Sequence, residues 1–155
     1  MIPHIIHYCW FGKNKMPEVA IECINTWKKY FPEWEIKEWN EENYDLSGIP
    51  YITDAYRLGK WAFVSDLVRL DVLYRYGGIY LDIDVEFIKP LPKSYLDFKG
   101  FMGFEYTNAI APGLIFGVEK ENSFVKRILD SYEGERFYYC LLYTSDAADD
   151  LTRVD

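Results

Sequence analysis

Phe63-Val64-Ser65-Asp66-Leu67-Val68-Arg69-Leu70-Asp71-Val72-Leu73-Tyr74-Arg75-Tyr76-Gly77-Gly78-Ile79-Tyr80-Leu81-Asp82-Ile83-Asp84-Val85-Glu86-Phe87 changes its hydrophobic period halfway along. Phe63, Leu67, Leu70 and Tyr74 recur at steps of three and four, the spacing of one helix face. From Ile79 onward, Leu81, Ile83, Val85 and Phe87 alternate with Tyr80, Asp82, Asp84 and Glu86, the spacing of a strand. Gly77-Gly78 separates the two, where a helix must stop and the chain reverse; glycine takes the positive φ such a turn needs at little steric cost. The stretch reads as helix, double-glycine turn, strand.

Its polar residues are out of place for structure alone. Asp is depleted in strands, yet Asp82, Asp84 and Glu86 share one face of the expected strand with Tyr80. In a regular strand Asp82 and Asp84 would lie about 7 Å apart on one side, and a bend would bring them closer. Like charges that close raise each other's pKa unless a cation or hydrogen-bond donors neutralise them. A hard divalent cation does so, and Mg²⁺ sites combine one or two carboxylates with substrate phosphates. Asp66 and Arg69, three apart, share a helix face and fall outside the apolar stripe. The turn can aim both at the Asp82/Asp84 end. The bland reading of the same residues is a solvated sheet face with a surface ion pair.

The whole string Ser-Asp-x-x-Arg, Gly-Gly-x-Tyr-x-Asp-x-Asp resembles the donor-site signature of glycosyltransferase family 32, which includes capsule and polysaccharide glycosyltransferases and outer-chain mannosyltransferases. The opening Ile-Pro-x-Ile-Ile-His-x-x-Trp-x-Gly is similar to that family's first strand. The resemblance implies a GT-A fold: a Rossmann-like α/β sandwich on one mixed central sheet, here with its C-terminal part missing. It implies a metal-dependent, retaining transferase that moves a hexose from a UDP- or GDP-sugar to a glycan or lipid-linked saccharide acceptor, as in polysaccharide or capsule synthesis. By the same resemblance Asp84 coordinates Mn²⁺ or Mg²⁺ directly. Asp82 contacts the metal, through its water shell, or the ribose and donor sugar. Asp66 accepts hydrogen bonds from the hexose hydroxyls, and Arg69 orients the sugar or its phosphate. Tyr80, with Gly78 beside it in the matched string, packs against the nucleotide. Trp10 stacks on the base, a contact worth about 1–3 kcal/mol, although the indole would be as comfortable in a core. Asn108 lies toward the acceptor side of the sugar. Asp82 and Asp84 are the expected catalytic pair, and no residue stands out as a nucleophile.

Outside this unit the chain of 155 residues suits one α/β domain large enough for a real core. Residues 2–12 read as a strand, in which His7 is a satisfied imidazole rather than a ligand. A helix follows from Pro17 with Val19, Cys23, Trp27 and Tyr30/Phe31 inward, then a strand at 34–39. A second helix is expected over 50–61, with Ile52, Tyr56 and Leu58 on its apolar side. Strands at 100–105 and 114–118 flank a loop at 108–113, and Ser123 is the expected cap of a last helix. There is no G-x-G-x-x-G and no P-loop, so phosphates must be held by metal and side chains.

The net charge of −8 argues against nucleic acid as the main partner, since phosphate binding wants a basic face. It does not argue against a metal-bridged nucleotide. No apolar run reaches the roughly 20 residues of a spanning helix, and the opening residues lack a signal peptide's basic and apolar regions. The expected setting is the cytoplasm, with peripheral association at the inner face of a membrane allowed. Cys9, Cys23 and Cys140 have no metal or disulfide spacing. Cys140-Leu141-Leu142-Tyr143-Thr144-Ser145-Asp146-Ala147-Ala148-Asp149-Asp150 matches the translation of a transposon-type sequencing adapter. Residues 1–139 are therefore read as an incomplete donor-binding domain of doubtful activity, and 140–155 as a non-native read-through tail. Two other classes fit parts of the pattern: a non-catalytic carbohydrate-binding protein on the same fold, and a haloacid-dehalogenase-type phosphotransferase, whose D-x-D wants Thr or Val where Glu86 stands.

Overall fold

The computed structural model describes residues 1–105 and 109–138; Asn108 and the tail from 139 onward lie outside the described residues. Five strands form one mixed sheet in the order β2-β1-β3-β5-β4. These are β1 Ile5–Cys9, β2 Glu35–Trp39, β3 Gly78–Tyr80, β4 Gly100–Phe104 and β5 Ile110–Val118. The helices are α1 Glu18–Tyr30, α2 Pro50–Arg57, α3 Trp61–Tyr76 and α4 Ser123–Asp130. β2, β1 and β3 run parallel, and β5 is antiparallel to both of its neighbours.

Strand alternation sorts the core into two layers. Ile6, Tyr8, Ile79 and Leu81 face α1, where they meet Ile24 and the wholly buried Trp27. Cys9, Tyr80, Phe116 and Val118 face the other way, onto a cluster built from α2, α3 and α4 through Ile52, Ala55, Leu67, Val68, Val72 and Val125. The expected α/β sandwich with a mixed sheet is what forms. His7 is fully buried and doubly satisfied: Nε2 pairs with the Gly77 carbonyl at 2.8 Å, and Nδ1 accepts the Trp39 indole N–H at 3.1 Å.

Several local expectations are corrected. Val19 points to solvent, and α1 buries Ala20, Cys23, Ile24 and Trp27 instead. The single helix expected over 50–61 is two: α2 ends at Arg57, Gly59 takes φ +66°, and Trp61 begins α3. Leu58 is exposed at that break. Phe63 is exposed as well, because α3 buries Val64, Val68 and Val72 between the sheet and its helical neighbours. Asn122, not Ser123, caps α4; its side chain accepts from the backbone N–H of Phe124 and Val125. β5 begins at Ile110 and takes in most of the expected loop.

The correction that matters most is the length of β3. It ends at Tyr80, so Asp82 and Asp84 do not stand on a strand. The alternation beyond it is nevertheless real. Ile83, Val85 and Phe87 pack on the α1-side core, the Val85 carbonyl accepts the Trp27 indole N–H at 2.7 Å, and the Phe87 N–H donates to Thr26 Oγ1 at 3.0 Å. An extended segment clamped by a helix shows the same period of two as a strand with a ladder partner.

Candidate functional site

β1 leads through α1 to β2 on one side, and the chain then crosses to β3 on the other. In open α/β sheets the crevice outside the carboxyl ends of two such strands is where ligands bind. Trp10 leaves β1 at that point and Asp82 lies just past β3. Helix α3 runs beneath and delivers Asp66 and Arg69 from the same face.

Backbone hydrogen bonds set the direction of Asp82. The Leu81 N–H still donates to the His7 carbonyl at 3.1 Å, extending the pairing with β1. One residue later the chain changes partner, and the Asp82 N–H donates to the Gly113 carbonyl at 2.8 Å. The Val85 N–H then closes a turn on the Asp82 carbonyl at 3.2 Å. Gly113 is available because β5 slips against β4: pairing runs from Gly100↔Val118 to Met102↔Phe116, then resumes at Gly103↔Ala111. Residues 112–115 are thereby released from the β4 ladder toward the crevice.

Arg69 is the hub. Its Nη2 lies 2.9 Å from Asp66 Oδ1 and 3.2 Å from Asp82 Oδ1, and its guanidinium carbon sits 4.7 Å from the centre of the Tyr80 ring. Only 9% of the Arg69 side chain is exposed, against 61% of Asp66 and 41% of Asp82. The cation is thus held inside while both carboxylates look outward. Arg69 Nε is buried with no hydrogen-bond partner among the described residues, a donor left over by the two ion pairs. Desolvation by the surrounding walls pushes the Asp66 carboxyl up; Arg69 pulls it back and the Asp82 charge adds to the rise. Behind this triad burial pushes the Cys9 thiol up to about 12, so it is inert as a nucleophile.

Two cavities share this wall. One, of about 610 Å³, is lined by Asp66, Arg69, Asp82, Asp84, Glu86 and Glu105, with Gly113 at its side. The other, of about 340 Å³, is aromatic, with Trp10, Phe11, Trp61 and Tyr80 beside the same Asp66, Arg69 and Asp82. The structure therefore brings together Trp10, Asp66, Arg69, Tyr80, Asp82 and Asp84. Tyr80 is 1% exposed and serves as the floor under Arg69. Gly78 is not brought to the crevice: it lies at the opposite end of β3, against the Ile5 carbonyl.

The donor chemistry suits a hard cation. Asp82 and Asp84 offer carboxylate oxygens on one rim, the ligand type that Mg²⁺ and Mn²⁺ prefer. Among the described residues no three His, Cys, Asp or Glu side chains converge closely enough to cage an ion. Its remaining ligands would come from water and substrate phosphate, the usual pattern for Mg²⁺.

Sequence reasoning passed over Gly113, Trp61 and Glu105. Trp61 carries a signal, a large aromatic next to Gly59-Lys60, but the sequence pattern places it at the end of the helix expected over 50–61, where the structure starts α3. Glu105 and Gly113 carried none, because their place depends on the slip between β4 and β5.

Residues 17–101 match the family described as "Glycosyltransferase sugar-binding region containing DXD motif". The chain is similar to inositol phosphoceramide mannosyltransferase 3 of Schizosaccharomyces pombe, 33% identical over 88 residues, covering 54% of this chain and 24% of the relative. It is also similar to inositol phosphoceramide mannosyltransferase 1 of the same yeast, 29% identical over 101 residues, covering 58% and 30%. Subversion of eukaryotic traffic protein A of Legionella pneumophila is 24% identical over 160 residues, covering 83% and 24%. Among solved structures the PaToxG glycosyltransferase shares the fold, with a TM-score of 0.63 at 24% identity over 83% of this chain and 58% of that one. The chain spans less than a third of the length of these curated relatives.

Proposed function

This chain belongs to the glycosyltransferases whose sugar-binding region contains a DXD motif, and from that premise we propose that it binds a UDP- or GDP-hexose and passes the sugar, with retention, to a glycan or lipid-linked acceptor. The observation that carries the reading is the Asp66–Arg69–Asp82 cluster, which forms a common wall between an aromatic and an acidic cavity, with Asp84 on the acidic rim. The aromatic cavity, lined by Trp10, takes the nucleobase, with the sugar and diphosphate reaching across the wall. Asp66 accepts from hexose hydroxyls, Arg69 fixes Asp82 and orients the sugar, and Asp84 with Asp82 would hold a divalent ion. Such an ion would supply Lewis-acid stabilisation of charge on the diphosphate. Holding donor and acceptor in register supplies the rest of the rate gain. Similarity to two mannosyltransferases places a mannosyl donor early in any screen.

The test is a melting-temperature screen of UDP- and GDP-sugars with Mn²⁺, followed by release of free nucleotide from any sugar that binds. A donor at about 100 times its Kd stabilises by about 2.7 kcal/mol. The Asp84→Asn protein should melt where the parent does without ligand and lose the metal-dependent shift. Absence of a shift with every nucleotide sugar refutes the proposal. Binding without nucleotide release, in the presence of saccharide acceptors, favours the carbohydrate-binding alternative.

A further inference from the structure

Gly113 has no side chain, and a β-carbon built on it would lie 1.9 Å from Asp82 Oδ2, 2.9 Å from Asp82 Cγ and 3.4 Å from Arg69 Nη1. Its carbonyl at the same time accepts the Asp82 backbone N–H at 2.8 Å. One residue therefore grips the Asp82 main chain and vacates the volume that the Asp82 carboxylate fills. The slip between β4 and β5 is what swings 112–115 into this position.

We infer that Gly113 is a positioning residue: the volume left free by its missing side chain is the seat of the Asp82 carboxylate, and filling it drives that carboxylate off Arg69 and off the rim it shares with Asp84. The inference deepens the proposed donor site and rests on that reading. The Asp82 main chain is held by the Gly113 carbonyl and its Oδ1 faces Arg69, so the carboxylate is the part that has to move. Gly113 brings no side chain of its own to the cavity it helps to line and acts through Asp82.

The test uses the purified chain, Mn²⁺ with UDP or with GDP as probe, and two readouts: bound Mn²⁺ by electron paramagnetic resonance, and the melting temperature. Gly113→Ala should bind Mn²⁺ with nucleotide about 10- to 100-fold more weakly, the range seen when a supporting partner of a metal ligand is lost. Asp82→Ala removes the group the new methyl collides with, so the Gly113→Ala/Asp82→Ala protein should melt no lower than Gly113→Ala alone. Gly103→Ala is the comparison, because the atoms nearest its β-carbon belong to the Leu114 and Ile115 side chains and not to Asp82; there Asp82→Ala should lower the melting temperature further. Should Gly113→Ala not fold, recovery of folded protein on adding Asp82→Ala supports the inference and failure to recover overturns it. It is also overturned if the parent binds and Gly113→Ala binds equally well, or if Asp82→Ala costs the same on both backgrounds. A parent chain that takes up no Mn²⁺ with either nucleotide overturns the donor-site reading, and the inference with it.

Discussion

Replacing Arg69 with Met keeps most of the apolar stem and removes the charged head, so the loss reports the head group alone. Three contacts go with it: the ion pairs to Asp66 and Asp82 at 2.9 and 3.2 Å, and the face-on contact with Tyr80 at 4.7 Å. Fully buried charge-assisted hydrogen bonds would each be worth about 1.5–3 kcal/mol. Here both carboxylates are roughly half exposed, which brings each pair down to about 0.5–1 kcal/mol. The cation–π contact is shielded and adds about 1 kcal/mol. The expected loss is about 2–3 kcal/mol, or a fall in melting temperature of roughly 4–12 °C for a chain of this size. Chemical denaturation of parent and Arg69→Met at pH 7 measures it directly, provided the denaturant slopes agree. Arg69→Lys should fall between the two, since an ammonium keeps the charge but not the planar group that lies on Tyr80 while reaching two acceptors. Stability within about 0.5 kcal/mol of the parent for Arg69→Met would refute the claim that this residue organises the wall.

Two further outcomes are expected. Burial lowers the His7 pKa from 6.5 to about 4, against the Gly77 carbonyl, which favours the protonated ring. The unfolded chain thus takes up a proton that the folded chain refuses, so the His7 contribution is complete above pH 6.5 and is lost as pH falls toward 4. The loss is about 3 kcal/mol, read as a steeper decline in unfolding free energy over that window than His7→Phe shows; equal slopes would count against it. Gly78 sits at φ +107° with the Ile5 carbonyl 2.6 Å from where a β-carbon would go, so Gly78→Ala should cost more than about 3 kcal/mol or prevent folding. Gly48→Ala, whose nearest atoms are 3.8 Å away, should stay within about 0.5 kcal/mol, and similar denaturation midpoints for the two would overturn the steric argument.

Half of the site could be read from the chain because half of it is local. Asp66 and Arg69 meet because they are three apart on one helix, and the double glycine fixes the turn that brings Asp82 above them. The period of two from Ile79 to Phe87 marks the residues that pack toward α1, although Tyr80 on the opposite face is buried in the other core layer rather than in solvent. It could not say that the ladder stops at Tyr80, because the same alternation results when Trp27 and Thr26 hold an unpaired segment. The α3 stripe of Leu67, Leu70 and Tyr74 does pack on the core, but it includes the exposed Phe63 and leaves out three buried valines, for a related reason. A helix covered on two sides buries Val64, Val68 and Val72 in addition to Leu67, and a single-face pattern no longer marks its core.

The illegible half is the wall supplied by β5. Leu81 still pairs with β1, but the Asp82 N–H has already left that ladder. What diverts it is a carbonyl 31 positions later in the chain, offered by a residue whose defining property is an absent side chain. Pattern reasoning weighs the groups that are present, so it assigns chemistry to Asp and Arg and reads Ala-Pro-Gly as a loop. The geometry reverses that emphasis: the acidic motif supplies the charges, but the register slip that presents Gly113 leaves the room in which Asp82 Oδ2 sits while Oδ1 pairs with Arg69, on the cavity wall shared with Asp84.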